Sequence, residues 1–586
     1  MVKRPAMQAV VSVLESEGVD TIFGVPGAAI LPLYNALRGS SIRHLLVRHE
    51  EGGTHAADGW ARVTGNVGVC LGTSGPACTN MTTGLYTALA DSIPIIAVTG
   101  QAPRAKLHQE AFQAVDICEI ARPVTKWSVQ LKEAAQAPWI FREAFRIARS
   151  GRPGPVLIDL PVDLSQKEIT YDPELDAPFP VHRPQPPERA LRALLQMIES
   201  AERPLLLAGG GVIGADAAEE LVALAEYLQV PVTITLMGKG AIPEDHPLYA
   251  GMGGIQTQTR WGNALLLESD LIVAVGARFG DRYTGDLETF RGERRFAHID
   301  IEPMQLGRVF EPDLGIVGHA KPTLAALLEL ATDTGLDRER RRSWVARVAE
   351  LRTSLTRSLD QKDIPIKPPR VFGELNAFFE RDTTFVTAIG LYQIWSGQFQ
   401  ETFLPRRYLV CGQAGPLGWE IPAAIGAKTA RPDRQVVVVV GDYSFQFLME
   451  ELAVAAQYKV PFVIVMVNNE YLGLIRQAEI PYDMNFKVDL HFGEHGIDHV
   501  KVAEAMGCPG RRVTDPEQIR AALEWASAES ERLQVPALVE IMVEREANAA
   551  MGLSIADIKE FEPFPDAGPV QTDPVQTDDQ QPTGAG

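Results

Sequence analysis

The run of five valines at Val436–Val440, followed within two residues by Asp442, is the feature that most restricts the possible folds of this chain. A continuous β-branched run of this length is typical of a strand buried on both faces, as at the centre of a parallel sheet. The next apolar run, at 461–467, ends at Asn468-Asn469. The stretch therefore predicts two neighbouring parallel strands, each with polar side chains at its carboxyl end.

Open α/β sheets bind ligands at the carboxyl ends of their strands, where Asp442 and Asn469 are expected to lie. Carboxylate and amide oxygens suit Mg²⁺, which proteins hold through one or two side chains together with substrate phosphates. The alternative is an ordinary strand–helix–strand unit with polar loop ends. This stretch alone does not decide between the two.

The rest of the chain also alternates apolar strand-like runs with helix-like segments, which predicts parallel βαβ units. Proline-rich segments divide it, and such segments favour extended linkers and domain boundaries. We therefore predict an α/β protein of three doubly wound parallel-sheet domains. The predicted divisions are a first domain at 1–165, a linker at 166–190, a central domain at 191–345, a linker at 346–369, a third domain at 370–550, and a tail at 551–586 that is disordered toward its end.

Composition narrows the possible partners and compartment. The 586 residues are 46% hydrophobic and 22% charged, as in a globular protein, and the net charge of −20 argues against nucleic acid or an anionic membrane surface as a partner. Five cysteines form no CxxC pair, the N-terminus resembles no signal peptide, and no apolar run is long enough to span a membrane. We expect a soluble cytoplasmic protein without structural disulfides.

Two further patterns have simple interpretations. Gly209, Gly211 and Gly214 fit the dinucleotide fingerprint after a strand, but the next strand, at 231–235, does not end in the acid that NAD requires, so NAD is not expected. Cys70 and Cys78 are expected to be small buried apolar side chains.

A series of histidines, His491, His495 and His499, has spacing that could suggest a zinc-binding helix. Gly493 and Gly496 make a continuous helix unfavourable there. We therefore predict surface-loop histidines.

Two distant segments together resemble thiamine-diphosphate enzymes. Arg48-His49-Glu50 is similar to the segment whose glutamate contacts the cofactor's aminopyrimidine, and Gly441-Asp442 with Asn468-Asn469 resembles the metal and diphosphate signature. Tyr443 departs from that signature, because a third glycine is usual. The resemblance covers about residues 5–560 and implies a pyrimidine-binding first domain, an FAD-binding central domain and a diphosphate-binding third domain.

Within this family the chain resembles the branch of acetohydroxyacid synthases and glyoxylate carboligases. The segments that carry the likeness are 72–76, 91–94, 99–108, 412–419, 441–443, 450–453 and 468–477. Ala478 stands where acetohydroxyacid synthases usually place a tryptophan that selects a larger acceptor. The closer likeness is thus to glyoxylate carboligases.

The resemblance implies roles for individual residues. Glu50 would move a proton at the aminopyrimidine N1′, the Gly415 carbonyl would accept from the 4′-amino group, and Leu417 would be the apolar wedge that bends the cofactor. Mg²⁺ would be held by Asp442, Asn469 and the backbone carbonyl of Tyr471. The remaining contacts to thiamine diphosphate would be Ile389, Gly390, Leu391, Tyr392, Gly412, Gln413, Gly441, Tyr443, Ser444, Leu472 and Gly473, and the substrate-site candidates are Val25, Phe112, Gln113 and Ile475.

The resemblance also implies a structural, non-redox FAD in the central domain. His319 stands where relatives often carry aspartate. The implied FAD contacts are Gly209, Gly210, Gly211, Leu236, Met237, Gly238, Gly276, Arg278, Asp300 and Ile301.

The implied reaction is the condensation of two glyoxylate molecules to tartronate semialdehyde with release of CO₂. The alternatives are an acetohydroxyacid (acetolactate) synthase-like carboligase that acts on pyruvate, and a non-catalytic scaffold. A scaffold predicts loss of Glu50, Asp442 or Asn469, and all three are present. Glyoxylate carboligases carry a valine at the position of Glu50, so either this member retains the glutamate, or it has been substituted, or the reaction differs.

The family places its cofactor between the first domain of one subunit and the third domain of another. The resemblance therefore implies a homo-oligomer with its active sites at a dimer interface, as in a dimer of dimers.

Overall fold

The computed structural model describes residues 2–335, 339–486, 488–492 and 496–561. Three six-stranded parallel sheets dominate it, each flanked by helices, and this confirms the predicted α/β class with three doubly wound domains. In the described ranges, no helix has the length and apolar character needed to cross a membrane.

The first sheet has its longest strand, Ile95–Gln101, in its interior. In spatial order its strands are Arg43–Leu46, Thr21–Gly24, Gly68–Gly72, Ile95–Gln101, Val156–Pro161 and Trp127–Gln130. Its helices are Ala6–Ser16, Leu31–Leu37, Glu50–Thr64, Pro76–Asn80, Thr82–Asp91, Ile117–Ala121, Ala137–Arg149 and Val162–Ser165, with 3₁₀ turns at Ala28–Ile30, Arg104–Lys106, Arg122–Val124 and Ala134–Gln136.

The first four strands of the central sheet, in spatial order, are buried at every residue. In spatial order its strands are Tyr249–Met252, Val232–Ile234, Pro204–Ala208, Leu271–Val275, Arg295–Asp300 and Leu314–Val317. Its helices are Glu188–Ser200, Gly210–Gly214, Ala218–Leu228, Arg260–Glu268, Asp281–Thr284, Leu287–Arg291, Ala320–Thr334 and Arg342–Leu355, with 3₁₀ turns at Leu236–Gly238, Pro303–Gln305 and Glu339–Arg341.

The third sheet has the five-valine strand at its centre. In spatial order its strands are Tyr408–Val410, Thr384–Thr387, Val436–Gly441, Val463–Asn468, Ala537–Met542 and Gly510–Val513. Its helices are Pro368–Phe378, Leu391–Phe399, Glu420–Ala430, Asp442–Phe445, Glu451–Tyr458, Gly473–Glu479, His499–Ala505 and Ile519–Leu533, with 3₁₀ turns at Ile480–Tyr482 and Pro516–Gln518.

The first and third domains share one hydrophobic core. Helix Glu50–Thr64 crosses helix Glu420–Ala430 so closely that a Cβ at Gly59 would overlap the backbone of Ala423, and a Cβ at Gly426 would overlap that of Ala56. Only glycine allows backbones to approach this far. The contact fixes the two domains of one chain against each other.

Short elements differ from the predicted divisions of the chain. Strand Glu168–Tyr171 lies in the predicted first linker and pairs antiparallel with Val2–Pro5, while helix Arg342–Leu355 crosses the predicted end of the central domain. Residues Met551–Ser554 and Asp557–Lys559, at the start of the predicted tail, form a hairpin. The Leu553 carbonyl accepts from the Asp286 N–H at 2.8 Å, which attaches this hairpin to the central domain. The rest of the predicted tail, from residue 562, lies outside the described residues.

Candidate active site

A pocket lies at the carboxyl edge of the third sheet. Asp442 follows the five-valine strand there, and Asn469 follows the neighbouring strand. The lining residues are Ile389, Gly390, Leu391, Tyr392, Trp395, Leu417, Gly441, Asp442, Tyr443, Ser444, Val467, Asn469, Tyr471, Leu472, Gly473 and Leu474. Most of the residues expected to hold the diphosphate and its metal thus line a single pocket.

One wall of the pocket is the start of helix Leu391–Phe399. Gly390 precedes it with φ of 142°, a conformation open to glycine and unfavourable for other residues, and no side chain caps the helix. The first backbone N–H groups of the helix therefore have no partner within it. Such N–H groups, together with the positive end of the helix dipole, bind phosphate well.

The Asp442 carboxyl, at the end of the five-valine strand, is buried in the pocket lining, with 3% of the residue exposed. Burial raises its pKa to about 8, and in the described part of the chain it makes no ion pair. An acid desolvated in this way is stabilised as a carboxylate by a bound cation. Asn469 lies on the next strand end, and its side-chain amide donates to the Arg545 carbonyl at 3.2 Å, which leaves its oxygen available. The donors present therefore fit Mg²⁺ beside a diphosphate.

Glu420 is a buried acid beside the pocket that sequence reasoning missed. It accepts hydrogen bonds from Tyr392 and from the Ser444 hydroxyl, the latter at 3.0 Å. Ser444 in turn accepts from the Gly418 N–H at 2.9 Å. Glu420 thus connects three segments that form the pocket, directly or through Ser444. The contacting residues lie far apart in sequence, so no local sequence pattern indicates this role.

Burial raises the pKa values of Glu420 and Glu451 from the ordinary 4.5 to about 7. The folded protein then binds these protons more tightly than the unfolded chain does, so the contribution of these two groups to stability is fully present below about pH 4.5 and is lost as pH rises through about 7. We expect the thermal unfolding temperature of the cofactor-free protein to decrease as the pH is raised from about 5 to about 7.5. Thermal unfolding of wild type and Glu420→Gln checks this, and an equal slope in the variant would contradict it.

The segment Gly412–Trp419, predicted to bend the cofactor, is held by Asp91 of the first domain. The Asp91 carboxylate accepts from the N–H groups of Gly412 at 2.8 Å and Gln413 at 3.1 Å. It also pairs with Arg62 at 3.0 Å and with Arg278 of the central domain at 3.5 Å. Asp91 is therefore a junction of all three domains. In the sequence, Asp91 stands out only as part of segment 91–94, which resembles the family.

Replacement of Asp91 by alanine is expected to destabilise the protein by about 3–5 kcal/mol, because it leaves Arg62 buried without one of its two carboxylate partners. Denaturant unfolding measures the loss. Asp382→Ala, at an exposed turn, is the matched control. A cost for Asp91→Ala as small as that of the control would contradict the prediction.

Glu50 lies in the first domain, away from the pocket in its own chain. It begins helix Glu50–Thr64, and its Oε2 accepts from the Asn80 side chain at 2.9 Å. The pocket lining within the described residues comes from the third domain alone. Of the other predicted substrate residues, Phe112 is 86% exposed and Ile475 is 45% exposed, while Val25 and Gln113 are half-buried.

The glycines predicted to contact FAD have a structural explanation in the protein itself. A Cβ at Gly209 or Gly211 would overlap the backbone around Gly276, and a Cβ at Gly238 would overlap that of Ala208. The loops that follow three neighbouring strands approach one another this closely. These glycines are therefore needed for packing, whether or not a ligand binds.

Other groups at this edge of the central sheet fit a nucleotide. Asp300 is buried, which raises its pKa, and Gly318 donates to its backbone carbonyl at 2.9 Å. Beside it, His319 Nδ1 and Thr323 Oγ1 are buried and lack a hydrogen-bond partner within the described part of the chain. Unpartnered buried polar atoms are costly unless a ligand satisfies them. The residues present therefore fit the polar groups of FAD.

The histidine prediction was wrong for one member of the series. His499 begins helix His499–Ala505, and it is buried with Nδ1 at 2.9 Å from Glu540. His491 is exposed and contacts Glu470, and His495 lies outside the described residues. All five cysteines are free, and Cys70 and Cys78 are buried as predicted.

Three parallel-sheet domains, with a phosphate-fitting pocket and a buried acid at one strand end, define a cofactor-binding α/β enzyme. Three family models of thiamine pyrophosphate enzymes match the chain. The N-terminal TPP binding domain matches residues 4–120, the central domain matches 191–327, and the C-terminal TPP binding domain matches 388–541. The chain belongs to the thiamine pyrophosphate (thiamine diphosphate) enzyme family.

Curated relatives match nearly the whole chain. A glyoxylate carboligase of Escherichia coli O157:H7 is 50% identical over 578 residues, covering 97% of this chain and 98% of the relative. A probable acetolactate synthase large subunit of Methanocaldococcus jannaschii is 40% identical over 92% of this chain and 91% of its own. An acetolactate synthase large subunit of Corynebacterium glutamicum is 38% identical over 94% and 89%. The predicted resemblance to this branch is confirmed.

Proposed function

We propose that this enzyme is a thiamine-diphosphate- and Mg²⁺-dependent carboligase that condenses two glyoxylate molecules to tartronate semialdehyde with release of CO₂. The observation that carries the proposal is the pocket at Asp442, in a chain that is 50% identical to a glyoxylate carboligase along almost its full length. The cofactor, when bound, supplies a thiazolium that serves as the electron sink for decarboxylation.

The chain's own residues would bind and orient the cofactor. The N–H groups at the start of helix Leu391–Phe399 would bind the diphosphate, while Asp442, Asn469 and the Tyr471 carbonyl would hold Mg²⁺. Leu417 lines the pocket and would pack against the cofactor with its apolar side chain. Gly415, two residues away with φ of 60°, would present its carbonyl to the 4′-amino group.

Glu50 would hold and move a proton at the aminopyrimidine. Because Glu50 does not line the pocket of its own chain, it would reach the pocket of a second copy. The 86% exposure of Phe112, a large apolar side chain, also favours a covering partner. We therefore place the active site between two subunits, in a homo-oligomer that is most simply a dimer of dimers.

A structural FAD in the central domain is part of the proposal. Asp300 and the unpartnered polar atoms of His319 and Thr323 would satisfy its hydroxyl and ring nitrogen groups, and Arg278 would lie near its diphosphate. The acidic composition and five free cysteines support a cytoplasmic location.

One observation favours a second function, an acetolactate-synthase-like carboligation of pyruvate. Glu50 is present where glyoxylate carboligases carry valine, and two of the relatives named above are acetolactate synthases.

Mass-spectrometric identification of the products tests both functions. Purified protein, with thiamine diphosphate and Mg²⁺ present or omitted, is incubated separately with glyoxylate and with pyruvate. Tartronate semialdehyde formed faster than acetolactate supports the proposal, and the reverse favours the pyruvate reaction. No product from either substrate would overturn both. The absorption spectrum of the same protein tests for bound flavin.

A further inference from the structure

Helix Glu451–Tyr458 of the third domain holds the segment that leads to Glu50. The Tyr458 hydroxyl accepts from the Leu46 N–H at 2.9 Å, and the Arg48 side chain donates to Gln457 at 2.5 Å. These contacts join two domains of one chain across about 400 residues of sequence. The end of strand Arg43–Leu46 and the residues after it are thereby attached to the last turn of the helix.

Of the residues in this helix, Glu451 contacts the backbone that is closest in sequence to Glu50. Its Oε1 accepts from the backbone N–H groups of Arg48 and of His49, each at 2.9 Å. The residue is 0% exposed, and a Cβ at Gly52 would lie 2.5 Å from the same oxygen. A buried carboxylate that binds two successive N–H groups fixes the backbone that carries them. Glu451 therefore sets where helix Glu50–Thr64 begins.

The same helix is connected to the pocket of its own chain. Helix Asp442–Phe445 directly precedes it, and Gln446 donates from its side chain to the Asp442 carbonyl at 3.1 Å. Phe447 packs so closely on Gly418 that a Cβ there would lie 2.6 Å from that of Phe447. Segment 442–451 thus begins at the predicted metal ligand, Asp442, and ends at Glu451, which holds the segment that leads to Glu50.

We propose that Glu451 is a positioning residue for Glu50, and that segment 442–451 mechanically links the cofactor pocket of one subunit to the Glu50 that serves the pocket of its partner. The proposal rests on the proposed function, in which Glu50 acts across the subunit interface. It adds a residue from the third domain, remote from the reacting atoms, to those that set the rate.

The test compares Glu451→Ala and Glu451→Gln with Glu450→Gln, a matched control one residue away. The readouts are the thiamine diphosphate Kd in the presence of Mg²⁺, by calorimetry, and the rate of hydrogen–deuterium exchange at C2 of the bound cofactor. Misplacement of a catalytic group by about 1 Å costs up to about 100-fold. We expect Glu451→Ala to slow exchange by about 10-fold or more, with Kd changed by less than about threefold.

Glu451→Gln keeps a carbonyl oxygen that can accept both N–H groups, so it is expected to restore most of the exchange rate. If Glu451→Ala does not fold, Tyr458→Phe removes one hydrogen bond to the same segment, and it is expected to slow exchange by a smaller factor in the same direction. A purely structural role of Glu451 predicts that the exchange rate falls and the Kd rises together, and this outcome would overturn the proposal. An unchanged exchange rate in both Glu451→Ala and Tyr458→Phe would also overturn it.

Failure of the proposed function gives a different result. A wild-type protein that binds no thiamine diphosphate would overturn the proposed function, and this inference with it. Slow exchange in Glu50→Gln together with normal exchange in Glu451→Ala would overturn the inference alone.

Discussion

Replacement of Glu50 by glutamine is expected to lower kcat/KM for carboligation by about 10²–10⁴-fold, the usual contribution of a positioned general acid–base. Glutamine keeps the shape of the side chain and can still meet Asn80, which contacts Glu50 at 2.9 Å, but it cannot exchange a proton. The Kd for thiamine diphosphate is expected to change little, because the diphosphate pocket lies in the third domain.

Steady-state kinetics with glyoxylate and C2 hydrogen–deuterium exchange measure the effect. Glu51→Gln is the matched control, since Glu51 lies in the first turn of the same helix and contacts His55 at 3.4 Å. Exchange as fast in Glu50→Gln as in the control would show that Glu50 has no proton-transfer role.

Glu50→Val introduces the residue that the glyoxylate carboligases carry. If Glu50 both speeds proton removal at C2 and supplies a proton that ends the carboligation early, this variant slows exchange but shifts the products toward carboligation. Slower exchange and slower carboligation without a change in product partition would show this trade-off to be wrong.

Removal of the Asp442 carboxylate is expected to weaken Mg²⁺-dependent binding of thiamine diphosphate by more than about 100-fold, since even residues that only support a metal ligand cost about 10–100-fold when mutated. Asp442→Ala tests this by calorimetry. Asp433→Ala, in the exposed turn that precedes the same strand, is the control. Equal Kd values for the two variants would exclude Asp442 as a metal ligand.

The pH dependence of Mg²⁺ binding follows from the same residue. Burial raises the pKa of Asp442 to about 8, and a metal ligand must be ionised to bind. Below that pH the metal competes with a proton, so the apparent Kd for Mg²⁺ is expected to fall as pH rises from about 6 to about 8, and to level off above this range. A Kd independent of pH in this range would contradict a buried, protonated Asp442 in the cofactor-free enzyme.

Local sequence was sufficient for the architecture and for one half of the site. Strands such as Val436–Gly441 and Leu271–Val275 are buried on both faces and therefore read as continuous apolar runs. The polar residues that follow two neighbouring strands meet at the same sheet edge, which is why Asp442 and Asn469 line one pocket. Strand ends deviated by one or two residues, as expected where backbone hydrogen bonding alone sets the limit.

Other parts of the site depend on contacts that no local pattern records. Asp91 and Glu451 hold backbone N–H groups that lie more than 300 residues away in sequence, so they were noticed only within family motifs. The glycines near His499 disfavour a helix and predict a loop, yet a helix begins at His499 itself and Glu540 pairs with its ring inside the protein.

The shared core of the first and third domains has a consequence for how the chain folds. Helices Glu50–Thr64 and Glu420–Ala430 bury each other almost completely, so either domain made alone would expose a long apolar stripe and tend to aggregate. The third domain is synthesised last. The shared core therefore cannot form until the third domain is complete. Proteolytic cleavage in the segments between domains should therefore leave the pieces associated, and assembly of the core should be a late, concerted step.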